Sequence, residues 1–249
     1  MQPILLELGP ITIHAYGVFI TAAFLAGVGW AMHEARQRDL PHEKIPGVCL
    51  LILAGSILGA RLLYVLIDLQ YFAANPLEIF AFWHGGLVFS GGFLVGSLFG
   101  YWGLRKETKK LLWLDCFVPG VALGQAIGRI GCFMAGCCYG SKSFAPWAVT
   151  FTDPNSLAPL FRPLHPTQLY HSLAGLLTFG MLLLAKRKLE TPGKLTGLFL
   201  VLFASFRISI EFFRADYRGD LGVLSVTQLI AIALLLPGLF LLFRKRARS

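Results

Sequence analysis

The sequence predicts an all-α integral membrane protein, with seven transmembrane helices and a small extracytoplasmic cap between spans four and five. Three observations carry this. Of 249 residues, 56% are hydrophobic and only 14% charged, whereas a soluble domain is about a quarter charged. Apolar stretches of about 20 residues, long enough to cross a bilayer, recur seven times between basic or Pro/Gly-rich segments. Finally, 15 of the 22 basic residues fall into four short clusters, each behind an odd-numbered stretch. A secreted disulfide scaffold, a disordered chain and a water-soluble nucleic-acid binder are thereby excluded, despite a formal charge of +9.

The chain reads as one membrane domain, 1–249. Its spans are expected at about 14–32, 46–66, 82–104, 111–134, 167–185, 195–213 and 223–243. The segment from Met1 to Pro10 has no basic n-region, so it reads as the start of the mature protein rather than a cleaved signal. After span one come Arg36, Arg38 and Lys44; after span three, Arg105, Lys106, Lys109 and Lys110. After span five come Lys186, Arg187, Lys188 and Lys194; after span seven, Arg244, Lys245, Arg246 and Arg248. All four clusters lie on one side of the bilayer. The positive-inside rule makes that side cytoplasmic, with the N-terminus outside and the C-terminus inside. The connection at about 140–166 carries Pro146, Pro154, Pro159, Pro163 and Pro166. Proline at that density breaks a membrane helix, so this segment is expected to form an outer cap of loops and short strands.

Arg61, Arg129 and Arg207 fall within spans. An arginine at the bilayer centre costs at least about 2.5–3.5 kcal/mol, so each should face protein or water. Counted from the inner ends of their spans, all three lie about 18–27 Å up, in the outer half of the membrane. His84 and Tyr16, at the outer ends of spans three and one, join the same layer. On span six, Arg207, Glu211 and Arg214 have i, i+4 and i+7 spacing and share a helical face. This is a cationic stripe ordered by an internal carboxylate, suited to an anionic head group, against the plainer reading of an ion pair that fixes helix packing. Phosphate is the natural counter-ion, because the guanidinium fork matches its oxygens.

The densest segment runs from Gly124 to Gly140, with Gly128-Arg129-Ile130-Gly131 at its centre and Cys132, Cys137 and Cys138 near its end. Cys49 and Cys116 lie in or beside apolar spans, where thiols behave as small hydrophobes. The Cys-x4-Cys-Cys run lacks the paired CxxC spacing of zinc sites, so no metal ligands are assigned and no cofactor is expected. A structural disulfide or free packed thiols are the readings carried forward, ahead of a redox or metal role.

Gly128-Arg129-Ile130-Gly131, followed nine residues later by Gly140, resembles the signature of the bacterial prolipoprotein diacylglyceryl transferases. So do Leu8-Gly9-Pro10 with His14-Ala15-Tyr16-Gly17, Gly59-Ala60-Arg61, His84-Gly85-Gly86-Leu87, His165-Pro166-Thr167-Gln168-Leu169-Tyr170, and Phe206-Arg207 with Glu211-Phe212-Phe213-Arg214. The blocks keep the family's order from residue 8 to residue 214. The resemblance implies transfer of diacylglyceryl from phosphatidylglycerol to the lipobox cysteine of a preprolipoprotein, forming a thioether and releasing glycerol phosphate. It implies a multi-pass enzyme of the bacterial cytoplasmic membrane whose partners are that lipid, the signal-peptide lipobox and the bilayer, and not nucleic acid. His84, Arg129 and Arg207 are the expected catalytic residues. Tyr16, Arg61, Gly85, Gly86, Cys132, Gly140, Gln168, Glu211 and Arg214 are expected to bind substrate. At three positions the chain departs from the family: Cys132 replaces the usual asparagine, Cys137 the usual glutamate and Phe203 a common tyrosine.

The chemistry asks for a base for the thiol and fixed positive charge for the departing phosphate. His84 is the candidate base; Arg129 and Arg207 supply charge. The alternatives are a paralogue acting on a different lipid or acceptor, and an anion or lipid transporter using the same embedded arginines. No internal repeat of the kind common in transporters is evident. A retinal-type receptor is disfavoured because the last span lacks a lysine.

Overall fold

The structure is a computed structural model and describes residues 1–9, 11–81, 85–86, 88–215, 220–221 and 224–244. The chain is mostly helical. In order it forms β1 (Ile4–Leu8), β2 (Ile11–His14), α1 (Ala15–Gln37), α2 (Lys44–Ile67), α3 (Leu69–Ala74), a 3₁₀ turn (Pro76–Phe80), α4 (Phe89–Gly103) and α5 (Lys110–Ala135). Then come β3 (Val149–Thr150), β4 (Pro163–Leu164), α6 (Thr167–Ala185), α7 (Lys194–Glu211), β5 (Asp220–Leu221), β6 (Leu224–Ser225) and α8 (Val226–Phe243). Four of these helices, α1, α2, α5 and α6, are long and apolar enough to cross a membrane.

Where the helices differ from the expected spans, backbone chemistry gives the reason. A continuous helix from 82 is not formed. Gly85 and Gly86 have φ of +83° and +73°, left-handed values that a right-handed helix cannot contain, so α4 begins only at Phe89 and runs 15 residues. His84 lies outside the described residues. Ahead of α1 the chain folds back as the antiparallel pair β1–β2, turning at Gly9 with φ +59°. The backbone N–H of Ala15 closes the pair onto the Pro3 carbonyl at 2.9 Å.

The chain divides into two compact units, Ala35–Lys110 and the combination of Met1–Glu34 with Leu111–Ser249. In the first, α2 packs on α4 through facing glycines. A Cβ at Gly59 would run into the Gly91 carbonyl oxygen, and one at Gly91 into that of Gly59. Only glycine at both positions allows the backbones this close.

In the second unit, α5 is the central helix, with Trp113, Asp115, Cys116, Ala122 and Ala126 all buried. The buried Asp115 carboxylate ties it to α7. Oδ2 accepts from the Gly193 N–H at 2.7 Å, and Oδ1 accepts from the Thr196 N–H at 2.8 Å and its hydroxyl at 2.6 Å. The α7 N-terminus is therefore capped by a side chain from a neighbouring helix. Glu34 of α1, 1% exposed, receives Lys186 at 2.7 Å. Residues 136–166 hold a small core of Phe151, Ala158 and Leu164, packed with Phe133, Tyr139 and Val149. Around it β3 pairs with β4, and Lys142 bridges to Leu164.

Candidate active site

The second unit gathers polar side chains from α1, α5, the segment after α5, α6, α7 and the start of α8. Arg207, on the last turn of α7, donates through Nη1 to His171 Nε2 at 2.9 Å. An arginine only donates, so Nε2 is the acceptor and the imidazole proton sits on Nδ1. Arg207 Nη2 also lies 3.1 Å from Glu211 Oε2, four residues on. Arg214 approaches the same two partners, 3.5 Å from His171 Nε2 and 4.0 Å from Glu211 Oε2. Arg207 and Glu211 thus share the expected helical face, but α7 ends at Glu211, and Arg214 reaches the same two partners from the turn beyond it, leaving Glu211 between two guanidiniums.

Glu211 is in turn oriented by α8. Its Oε1 accepts from the Ser225 hydroxyl at 3.0 Å and from the Thr227 hydroxyl. Its Oε2 is buried and makes no hydrogen bond of good geometry, so the contact to Arg207 is an ion pair. Ser225 also caps α8 in a reciprocal capping box with Gln228. One short segment therefore both starts a helix and fixes the carboxylate.

Arg129 projects from α5, half-buried. Among the described residues no carboxylate pairs with it. Two residues on, at Gly131, α5 meets the first turns of α1. Gly131 allows this arrangement: a Cβ there would sit 2.8 Å from Phe19 Cβ and 3.5 Å from the Tyr16 Cα. Removing that Cβ lets α1 lie against the end of α5. Tyr16 itself, in the first turn of α1, is 45% exposed, which leaves its ring accessible to a ligand.

Beyond α5 the chain reverses at Gly136, φ +77°, and Cys138 takes the left-handed φ of 60°. None of the five cysteines is in a disulfide, so of the two readings carried from the sequence, packed thiols rather than a disulfide are what the structure has. The three sulfurs of Cys132, Cys137 and Cys138 lie together, all within 4.8 Å of one another, and the Cys137 thiol donates to the Cys132 carbonyl at 3.7 Å. The first turn of α6 fastens the segment. The Thr167 hydroxyl donates to the Cys138 carbonyl at 2.7 Å, and Gln168 Nε2 to the Cys137 carbonyl at 2.8 Å. Gln168 is fully buried, and its Oε1 has no hydrogen-bond partner among the described residues.

Gly140 acts through its backbone. Its N–H donates to the His165 carbonyl at 3.0 Å, and it bridges to Arg214. A Cβ would meet His165 Cβ and the Phe213 carbonyl oxygen, each at 2.6 Å. The residue therefore joins the segment after α5 to the turn that follows α7 and carries Arg214.

Arg61, Gly85 and Gly86 belong to the other unit. Buried Arg61 on α2 donates to the carbonyls of Ile79 at 3.0 Å, Gly85 at 2.7 Å and Gly86 at 3.3 Å, and to that of Glu78. Its guanidinium also lies 5.4 Å from the Phe72 ring and 5.5 Å from Tyr64. These contacts make it the fastener of the turn that follows His84. A cavity of about 350 Å³ beside it is lined by Tyr64, Asp68, Tyr71 and Glu78.

Of the expected site residues, then, Tyr16, Arg129, Cys132, Gly140, Gln168, Arg207, Glu211 and Arg214 share one unit. His171 was not anticipated, although a histidine inside an apolar helix is itself a sign of a buried polar partner. Residues 3–244 match the family described as prolipoprotein diacylglyceryl transferase. A phosphatidylglycerol--prolipoprotein diacylglyceryl transferase of Clostridium tetani is 36% identical over 250 residues, covering 100% of both chains. One from Polaromonas naphthalenivorans is 35% identical over 261 residues, covering 97% of this chain and 94% of its own. A relative of Clostridium perfringens bearing the same name with the number 2 is 31% identical over 242 residues, with 97% and 94% covered. With its whole length accounted for in this way, the chain belongs to the prolipoprotein diacylglyceryl transferase family.

Proposed function

We propose that the protein transfers the diacylglyceryl group of phosphatidylglycerol to the lipobox cysteine thiol of a preprolipoprotein, the first step of bacterial lipoprotein maturation. One observation supports this above the rest: Arg207 and Arg214 converge on His171 Nε2, at 2.9 and 3.5 Å, and on Glu211 Oε2, while Arg129 has no carboxylate partner among the described residues. Such a concentration of guanidinium charge within apolar helices calls for an anion, and a lipid phosphate brings one from the bilayer itself.

In the reaction the cysteine sulfur attacks the glycerol carbon that carries the phosphate. The S–C bond forms as the C–O bond breaks, the electron pair leaves with the phosphate oxygen, and the thiol proton passes to a base. Arg129 and Arg207 stabilise the departing phosphate, with Arg207 held in aim by His171 and Glu211. Tyr16 orients substrate from α1, while Cys132, Gln168 and Arg214 line the site and Gly140 holds its backbone. The sequence offers His84 as the base; Arg61, through Gly85 and Gly86, fixes the turn behind it. The enzyme works in the cytoplasmic membrane as a seven-span protein, N-terminus outside, C-terminus inside, with the 140–166 segment as its outer cap.

Incubating the purified protein with labelled phosphatidylglycerol and a lipobox peptide tests this. Thioether-linked peptide and glycerol phosphate should appear in equal amounts; lipid binding without product would leave a carrier. A second reading, altered lipid or acceptor preference, is favoured by Cys132 and Cys137 standing where the family usually has asparagine and glutamate. Repeating the assay with other phospholipid head groups separates the two.

A further inference from the structure

We propose that Cys132, Cys137 and Cys138 form a binding site for one thiophilic divalent cation of the zinc class, held by three thiolate sulfurs at the end of α5. Their Sγ atoms all lie within 4.8 Å of one another. Sulfurs placed tetrahedrally about Zn²⁺ at about 2.3 Å are about 3.8 Å apart, so small side-chain adjustments close the set. None of the three is spent in a disulfide. The CxxC spacing familiar from zinc sites is not needed here, because the fold supplies the convergence. Cys132 sits in the last turn of α5, and the reversal at Gly136 brings the next two cysteines back over it.

The donor set decides the class of ion. Thiolates select soft or borderline cations such as Zn²⁺ and Cd²⁺, while Mg²⁺ and Ca²⁺ require oxygen ligands. Three thiolates on a divalent ion leave one negative charge, and the segment that carries two of them pairs through Gly140 with Arg214. The frame is also fixed before any metal arrives. Thr167 and Gln168 hold the Cys138 and Cys137 carbonyls from α6, and Cys138 is kept at a left-handed φ of 60° that non-glycine residues seldom adopt. Outer-shell restraint of this kind orients metal ligands. Three protein ligands leave a fourth coordination position open to water or another ligand.

The full-length protein, purified in detergent under reducing conditions and treated with chelator, should be titrated with Zn²⁺ and Cd²⁺. One ion per chain is expected, with a sulfur-to-metal charge-transfer band for Cd²⁺. Cys132→Ser, Cys137→Ser and Cys138→Ser should each weaken binding by about 100-fold, the upper range for losing even an outer-shell partner. Cys49→Ser and Cys116→Ser should leave the stoichiometry at one. Should the serine variants not fold, the unmodified protein still decides. Zn²⁺ should slow maleimide alkylation of all three thiols, read by peptide mass spectrometry. Absence of the charge-transfer band, binding insensitive to the three serine changes, or alkylation unaffected by Zn²⁺ would overturn the site. None of these readouts requires lipid transfer, so the metal site and the transferase activity fail or stand separately.

Discussion

Arg207 and His171, 36 residues apart on α7 and α6, meet at 2.9 Å between Nη1 and Nε2. Because the guanidinium can only donate, His171 serves as a neutral acceptor that aims the arginine. Its Nε2 lone pair is already engaged and cannot take the thiol proton. The two histidines of interest therefore have different roles, His171 positioning charge and His84 proposed as base.

Replacing the acceptor should expose this division. His171→Phe leaves the Arg207 donor without its partner, at a cost of about 1.5–3 kcal/mol for a hydrogen bond to a charged group. Activity should fall about 10- to 100-fold. His171→Gln retains a carbonyl acceptor and should recover a large part of it. His84→Gln, which cannot accept a proton at neutral pH, should not be rescued in this way. Equal loss in both glutamine variants, measured as product per minute at matched protein levels, would collapse the distinction.

Arg129→Lys and Arg207→Lys keep the charge and lose the planar fork. If the guanidiniums grip phosphate bidentately, each change should lower turnover by about 100-fold. The two should differ in stability. Arg207 holds Glu211 at 3.1 Å and His171 at 2.9 Å, so Arg207→Lys should also reduce Tm. Arg129, lacking a carboxylate partner among the described residues, should lose activity with little change in Tm. Near-normal turnover in both variants would reduce them to packing residues.

Much of this site was legible because helical spacing is local information. The separation of Arg207 and Glu211 along one chain segment sufficed to put them on a common helical face, with Arg214 reaching them from the turn just beyond, and Pro166 followed by Thr167 marked the start of α6. The Arg207–His171 bond could not be read in the same manner, since nothing in the span sequences encodes which helices become neighbours. The β1–β2 pair was hidden for a different reason. Leu5 and Leu6 are adjacent and both exposed, so the stretch shows no period-two alternation and merges with the apolar span behind it. For the third expected span, mean hydropathy concealed two glycines whose positive φ delays the helix to Phe89.

The basic clusters yield a topological prediction. A reporter fused at Lys110 or after Ser249 should be cytoplasmic, and one at Asn155 should be outside. Accessibility of Lys110 from the outer side in intact cells would be incompatible with seven spans and an N-terminus outside. It would also put the 140–166 segment on the wrong side for a cap.

The final prediction concerns the α5–α7 tie. Asp115 is 1% exposed and accepts three hydrogen bonds, two from backbone N–H groups at the start of α7 and one from the Thr196 hydroxyl. Asp115→Ala strips all three donors of their partner in a site that water does not reach, combining loss of a helix cap with buried unsatisfied groups. The cost should be about 2–4 kcal/mol. Asp115→Asn keeps one acceptor oxygen and should lie between the alanine variant and the unmodified protein. Because Thr196 lies in the first turn of the helix whose last turn carries Arg207, the damage should appear as a lower Tm in detergent. Activity per folded molecule, assayed well below that Tm, should stay close to normal. Thr196→Val removes only the hydroxyl and should have the smallest effect. A ranking in which Thr196→Val is as damaging as Asp115→Ala would show that the hydroxyl bond, rather than capping of the α7 backbone, holds these helices together.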